Sequence, residues 1–163
     1  MQESKLDSQA VEILGKNKLI NELLKAGIEV ASPIRDRGID LIAYIDIDKD
    51  NQLQSFVACP LQMKAATERR FSIDRKYEKF SKLLLVFVWE VGDPNSNIIY
   101  ALTYHEAVEV GKEMGWTITG AWQEGHYYNT NKPSKKLLSL LEKYQMTSKK
   151  WWDKVKNTGV SFV

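Results

Sequence analysis

Four side chains in this 163-residue chain interrupt patterns that are otherwise apolar, and their types suit one shared task. At about 100° per residue, Glu12 lies within roughly 20° of Leu19 and Leu23 on a helix, so it falls on the stripe that should face the core. Asp40 follows Gly38-Ile39 and opens a strand whose same-face neighbours are Ile42 and Tyr44, so it is expected to point inward with them. In Phe56–Lys64, Val57, Cys59, Leu61 and Met63 form an apolar face, and Phe56, Ala58, Pro60, Gln62 and Lys64 form the other. Gln62 and Lys64 then emerge about 7 Å apart on one side of the strand. Each residue also has a plain reading: Glu12 complementing a helix dipole, Asp40 capping a turn, Lys64 running out into solvent. Together they make an oxygen-rich pocket with one cation at its rim, which suits a hard divalent ion. Such an ion lowers the pKa of a bound water and stabilises charge on phosphorus, the logic of hydrolytic phosphodiester cleavage, with Lys64 placed to orient or deprotonate that water.

The elements that must position these residues are legible as a series. Asp7 or Ser8 can cap a helix that ends before Gly27. A short strand is expected around Ile28–Ala31, then an alternating strand over Ile39–Ile47, a polar hairpin turn over 46–52, and a strand from Leu53 to Lys64. Pro60 removes a ladder donor and points to an edge or a bulge. Leu83–Val91 reads as a buried central strand, with Ile98–Thr103 its neighbour across a Gly-Asp-Pro-Asn turn. Helices are expected over Glu106–Met114, Ser134–Tyr144 and Ser148–Lys156.

In this order, Glu12, the Asp36-Arg-Gly-Ile-Asp40-Leu turn and strand, and Gln62-Met-Lys64 resemble the PD-(D/E)XK, or restriction-endonuclease-like, nuclease superfamily. The resemblance spans about residues 8 to 91. It is nearest the branch of Holliday-junction resolvases and modified-DNA restriction enzymes that carry Gly-hydrophobic-Asp and Gln-x-Lys. It implies an α/β fold with an α-β-β-β-α-β core, a central four-stranded mixed sheet flanked by helices, and C-terminal helices beyond it. It also implies a Mg2+ or Mn2+ site formed by Asp40, Gln62, the Met63 backbone carbonyl and Glu12, with Lys64 as the catalytic lysine. Gln62 departs from the Asp or Glu of the family motif and removes one negative charge, which should weaken divalent binding.

Other signals bound the remaining classes. His105-Glu106 opens like a zinc-protease helix, but Glu109 stands where the second histidine is needed. Asp46, Asp48 and Asp50 copy the start of a calcium loop, but Asn51 and Val57 replace its glycine and glutamate. No phosphate-binding glycine loop or Gly-x-Ser-x-Gly elbow occurs. The single Cys59 excludes an internal disulfide and reads as a small buried residue. No apolar run spans a bilayer and no secretory leader is evident, so a cytoplasmic single domain is expected, with a core over about 8–103 and a helical extension over about 104–163.

Net charge is +2, yet residues 132–156 carry eight lysines against Glu142 and Asp153. That segment reads best as a solvated face. Arg69, Arg70, Arg75 and Lys76 follow Lys64 closely and read equally as phosphate ligands or as a charged helix start. Most of Trp116, Trp122, Tyr127, Tyr128, Trp151 and Trp152 are expected in the core. The function expected is a divalent-metal-dependent nuclease that favours DNA, pairing with another copy if it cuts both strands of a duplex. The rival is an inactive module of the same fold that binds nucleic acid or protein, and a weaker third reading is an unrelated α/β interaction protein.

Overall fold

The computed structural model describes residues 5–46, 55–125 and 127–162. The expected hairpin turn beyond Asp46 and the expected strand start at Leu53 therefore lie outside the described residues. Helix α1 (Ser8–Lys25) begins where Asp7 accepts a hydrogen bond from the Ala10 N–H and ends before Gly27, whose φ of 76° is a left-handed conformation that suits glycine. It is followed by β1 (Glu29–Ala31), β2 (Leu41–Asp46) and β3 (Phe56–Ala65). Next come β4 (Phe71–Asp74), β5 (Leu84–Trp89) and β6 (Ile98–Leu102). The C-terminal part holds α2 (Tyr104–Glu113), α3 (Gly120–Gly125), β7 (Tyr127–Thr130), α4 (Lys135–Leu141), α5 (Ser148–Thr158) and β8 (Val160–Phe162).

The fold is mixed α/β. Among the described residues the main sheet runs β1-β2-β3-β5-β6, with β8 added to β3. The β3–β5 pair is parallel and the other pairs are antiparallel. β8 pairs with β3 over Phe56–Ala58 and β5 pairs from Leu61 onward. Pro60 sits between these partners, so on that side the sheet asks no ladder donor of it, and β3 remains internal with Pro60 opposite Ile42 of β2.

β5 is buried at every position because it serves two cores. Leu84, Val86 and Val88 pack with Leu19 and Leu23 of α1 and Trp151 and Val155 of α5. Leu85, Phe87 and Trp89 pack on the opposite side with α2, α4 and the Trp116 and Trp122 rings. That second layer covers β5 and β6 but not β2 and β3. On β2 and β3 the faces carrying Ile42, Tyr44, Phe56, Ala58, Pro60, Gln62 and Lys64 are accordingly half-buried, while Leu41, Ala43, Ile45, Val57, Cys59, Leu61 and Met63 are buried. Among the described residues one half of one sheet face is left open, and Gln62 and Lys64 stand on it.

Between β3 and β5, where the family core would place a helix, the chain instead forms β4 and a single 3-10 turn at Arg75–Tyr77. Phe71 and Ile73 alternate into the second core, a period of two that selects a strand, and Asp74 caps the turn through the Lys76 N–H. β7 supplies the partner, pairing Phe71 with Thr130 and Asp74 with Tyr127. The region expected to be only helical thus also contributes two strands. Trp116, Trp122 and Trp151 are buried as expected, whereas Tyr127 is exposed.

Burial pushes the Cys59 thiol up to about 12. Since free cysteine titrates near about 8.5, folding favours the protonated form, and the native thiol stays uncharged across the neutral range. A thiol reagent at pH 8 should therefore leave native Cys59 unmodified and label it fully once the chain is unfolded. Rapid labelling of the folded protein would contradict this burial.

Candidate active site

Where the pairing of β2 with β3 stops, the end of the sheet and the N-terminal half of α1, which packs on the buried face, enclose a cleft of about 580 Å³, lined by Glu12, Asp36, Asp40, Gln62, Met63, Lys64 and Arg70 among others. Gly15 brings the helix there. A Cβ at Gly15 would run into the Ala65 side chain, so only glycine allows α1 this close to the end of β3. Lys18 holds the same helix to the β5–β6 hairpin through the carbonyls of Asp93 (2.6 Å) and Ser96 (2.7 Å).

Glu12 continues the stripe of Gly15, Leu19 and Leu23, yet it is exposed rather than buried. The physical reason is that the stripe runs past the apolar part of the sheet and over the cleft, whose lining is mostly polar. Asp40 is 9% exposed. Its Oδ2 accepts the Met63 N–H at 2.6 Å and the Gln62 Nε2–H at 2.8 Å. Both bonds fall on one oxygen, so Oδ1 is the one left to the cleft. The neighbours expected to share its face, Ile42 and Tyr44, are only half-buried, because the sheet is uncovered there.

The register explains why Met63 belongs to the cleft. Pairing between β2 and β3 ends at Leu41 and Leu61, so Met63 has no strand partner on that side. A strand residue directs its N–H and C=O to the same edge. The Met63 carbonyl therefore points where its N–H does, toward Asp40. Gln62 turns its amide N–H to Asp40, and its Oε1 lies 3.6 Å from where a Gly38 side chain would begin. Gly38 has φ of 93°, so both backbone and space favour glycine at that turn.

Asp36 belongs to the turn that its spacing from Gly38 marks in the sequence, and its Oδ1 accepts the Gly38 N–H at 3.0 Å. That same turn brings Asp36 to Glu12 and Asp40, with one carboxylate oxygen of each within 4.8 Å of the others. Desolvation raises the Asp40 pKa above the ordinary carboxylate value, and the charges of Asp36 and Glu12 raise it further, against the lowering effect of the Met63 N–H bond. Lys64 shifts the other way. Burial chiefly, then the charge of Lys76, lowers its pKa from that of a free lysine. Its ammonium lies 5.3 Å from the centre of the Tyr77 ring.

The four cations after Lys64 part company. Arg69 is bound to Glu90 at 2.8 Å, Arg70 lines the carboxylate cleft, and Lys76 pairs with Asp74 at 3.6 Å beside a second cavity. Arg75 lines neither cavity.

No protein-family model matches the sequence, and neither does any curated protein. The chain is similar to the solved structure of a bacterial homing endonuclease, I-Ssp6803I, with a TM-score of 0.47 and 11% identity, covering 94% of this chain and 95% of that one. Among the described residues no helix is long and apolar enough to cross a membrane.

Proposed function

We propose that the chain is a single nuclease-like domain of the PD-(D/E)XK type that hydrolyses phosphodiester bonds in DNA with Mg2+ or Mn2+. The observation that carries this reading is the convergence of Glu12, Asp36 and Asp40 in one cleft with Gln62 and Lys64. The donor set fits a hard cation: three carboxylates and a backbone carbonyl, with no thiol or imidazole among them. Asp40, Glu12 and the Met63 carbonyl would hold the ion, and Oε1 is the ligand atom that Gln62 has left to give. Asp36 restores the negative charge lost by having glutamine at position 62. When bound, the ion lowers the pKa of water and offsets charge on the phosphate.

The chain's own groups account for the rest. Gln62 and the Met63 N–H fix Asp40 through Oδ2. Lys64, whose charged form is disfavoured by burial, takes the proton of the attacking water at Nζ or holds a phosphate oxygen there. Arg70 stands at the rim, where it meets the phosphate backbone; its ion pair with Glu68 is long, at 3.9 Å, and exposed.

Incubating the protein with supercoiled plasmid tests this directly. Nicking or linearisation with Mn2+ that stops in excess chelator supports the reading, and an intact plasmid under all metal conditions, together with intact gapped and branched substrates, argues against it. Because divalent affinity follows the number of ligand charges, Asp36→Asn should weaken Mn2+ binding by roughly tenfold. Unchanged affinity in that variant would remove Asp36 from the ligand set.

A further inference from the structure

A second cavity, of about 750 Å³, adjoins the carboxylate cleft on the other side of Gln62, which lines both. Its apolar lining comes from Ile39, Pro60, Tyr77, Phe80 and Leu83, and its cations are Arg37, Lys76, Lys79 and Lys82. Among the described residues no aspartate or glutamate lines it. Phe80 is 56% exposed although it is a large aromatic side chain. Its presentation is built in: the Phe80 N–H donates to the Tyr77 carbonyl at 2.9 Å and the Leu83 N–H to the Phe80 carbonyl at 3.1 Å. Tyr77 joins the two cavities, since the ammonium groups of Lys64 and Lys76 both lie over its ring, at 5.3 and 4.9 Å.

A purely apolar ligand would have no use for four cations, and an inorganic anion would have none for the aromatic wall. A nucleotide has both parts, a flat base with an apolar face and a phosphate on either side. We propose that this cavity receives an unstacked base of the DNA strand held at the cleft, with Phe80 as its stacking surface and Arg37, Lys79 and Lys82 on the flanking phosphates. The inference rests on the nuclease reading for the position of the scissile phosphate, and it deepens that reading by naming the substrate class: DNA with an unpaired nucleotide beside the bond to be cut. A fully paired duplex keeps its bases stacked and leaves the cavity unused.

The test measures binding of the full chain, without divalent metal, to a fluorescent duplex carrying a short single-stranded gap and to the same duplex fully paired. The gapped DNA should bind roughly ten- to hundredfold tighter, as expected for stacking of a base on an aromatic ring. Phe80→Ala should abolish that preference, and its exposed position makes the substitution safe for folding. Lys79→Ala with Lys82→Ala should reduce the salt slope of gapped-DNA binding by about 1.4, given about 0.7 per single-strand phosphate contact. Equal binding of the two DNAs, or a preference that survives Phe80→Ala, would overturn the proposal. Calorimetric Mn2+ titration of the same variants separates the two readings. Mn2+ binding retained with no gap preference sinks the base cavity alone, and a gap preference in a chain that binds no Mn2+ upholds the cavity and sinks the nuclease site.

Discussion

Lys64→Ala should slow DNA cleavage by on the order of 10²–10⁴-fold, the usual contribution of a positioned proton-transfer group, while leaving Mn2+ affinity nearly unchanged. The separation follows from geometry. Lys64 lies two residues beyond Gln62 on the open face of β3, lines the same cleft as Asp40, and contributes no oxygen to a cation. Its ammonium is held over the Tyr77 ring, in surroundings that lower its pKa. Single-turnover cleavage alongside calorimetry checks both halves. A variant that cuts as fast as the parent, or one that loses Mn2+ together with activity, would show that Lys64 has another role.

Gly15→Val should have the largest structural effect near the site. A side chain there meets Ala65 at once, with Val91 and Met63 close behind at 3.5 and 3.6 Å, so α1 has to lift from β3. Overpacking of this kind costs about 1–3 kcal/mol. The helix that lifts also carries Glu12, one turn away, so the variant should lose Mn2+ affinity as well as thermal stability. Denaturant unfolding and calorimetry on the same preparation measure the two losses. A variant as stable as the parent, with unchanged affinity, would mean that the close approach of α1 does not position Glu12.

The candidate site was legible in the sequence where local periodicity controls it. The alternation in Phe56–Lys64 places Gln62 and Lys64 on the polar side, and β3 alternates as that pattern requires. Asp7 and Gly27 delimit α1 because capping and a left-handed turn are local demands. The helical wheel put Glu12 on the right stripe but could not say where the sheet beneath it ends, so it gave the wrong burial. Asp36 is not distinctive in the sequence, because an aspartate two residues before a glycine is ordinary turn chemistry, and its approach to Glu12 depends on how a helix and a loop far apart in sequence pack. The charges of residues 68–76 masked the two-residue period of Phe71 and Ile73, whose partner strand comes more than fifty residues later. Pro60 looked like a mark of an edge, and only the change of neighbour from β8 to β5 reconciles it with an internal strand.

Calorimetric titration of Mn2+ into the parent and into Asp40→Ala tests the central claim most directly. Asp40 is the buried carboxylate on which the Gln62 and Met63 donors converge, and Asp36 and Glu12 reach it. Saturable binding by the parent that disappears in Asp40→Ala is the predicted result. Equal binding by both proteins, or binding by neither even with DNA present to supply phosphate oxygens, would contradict a metal site in this cleft.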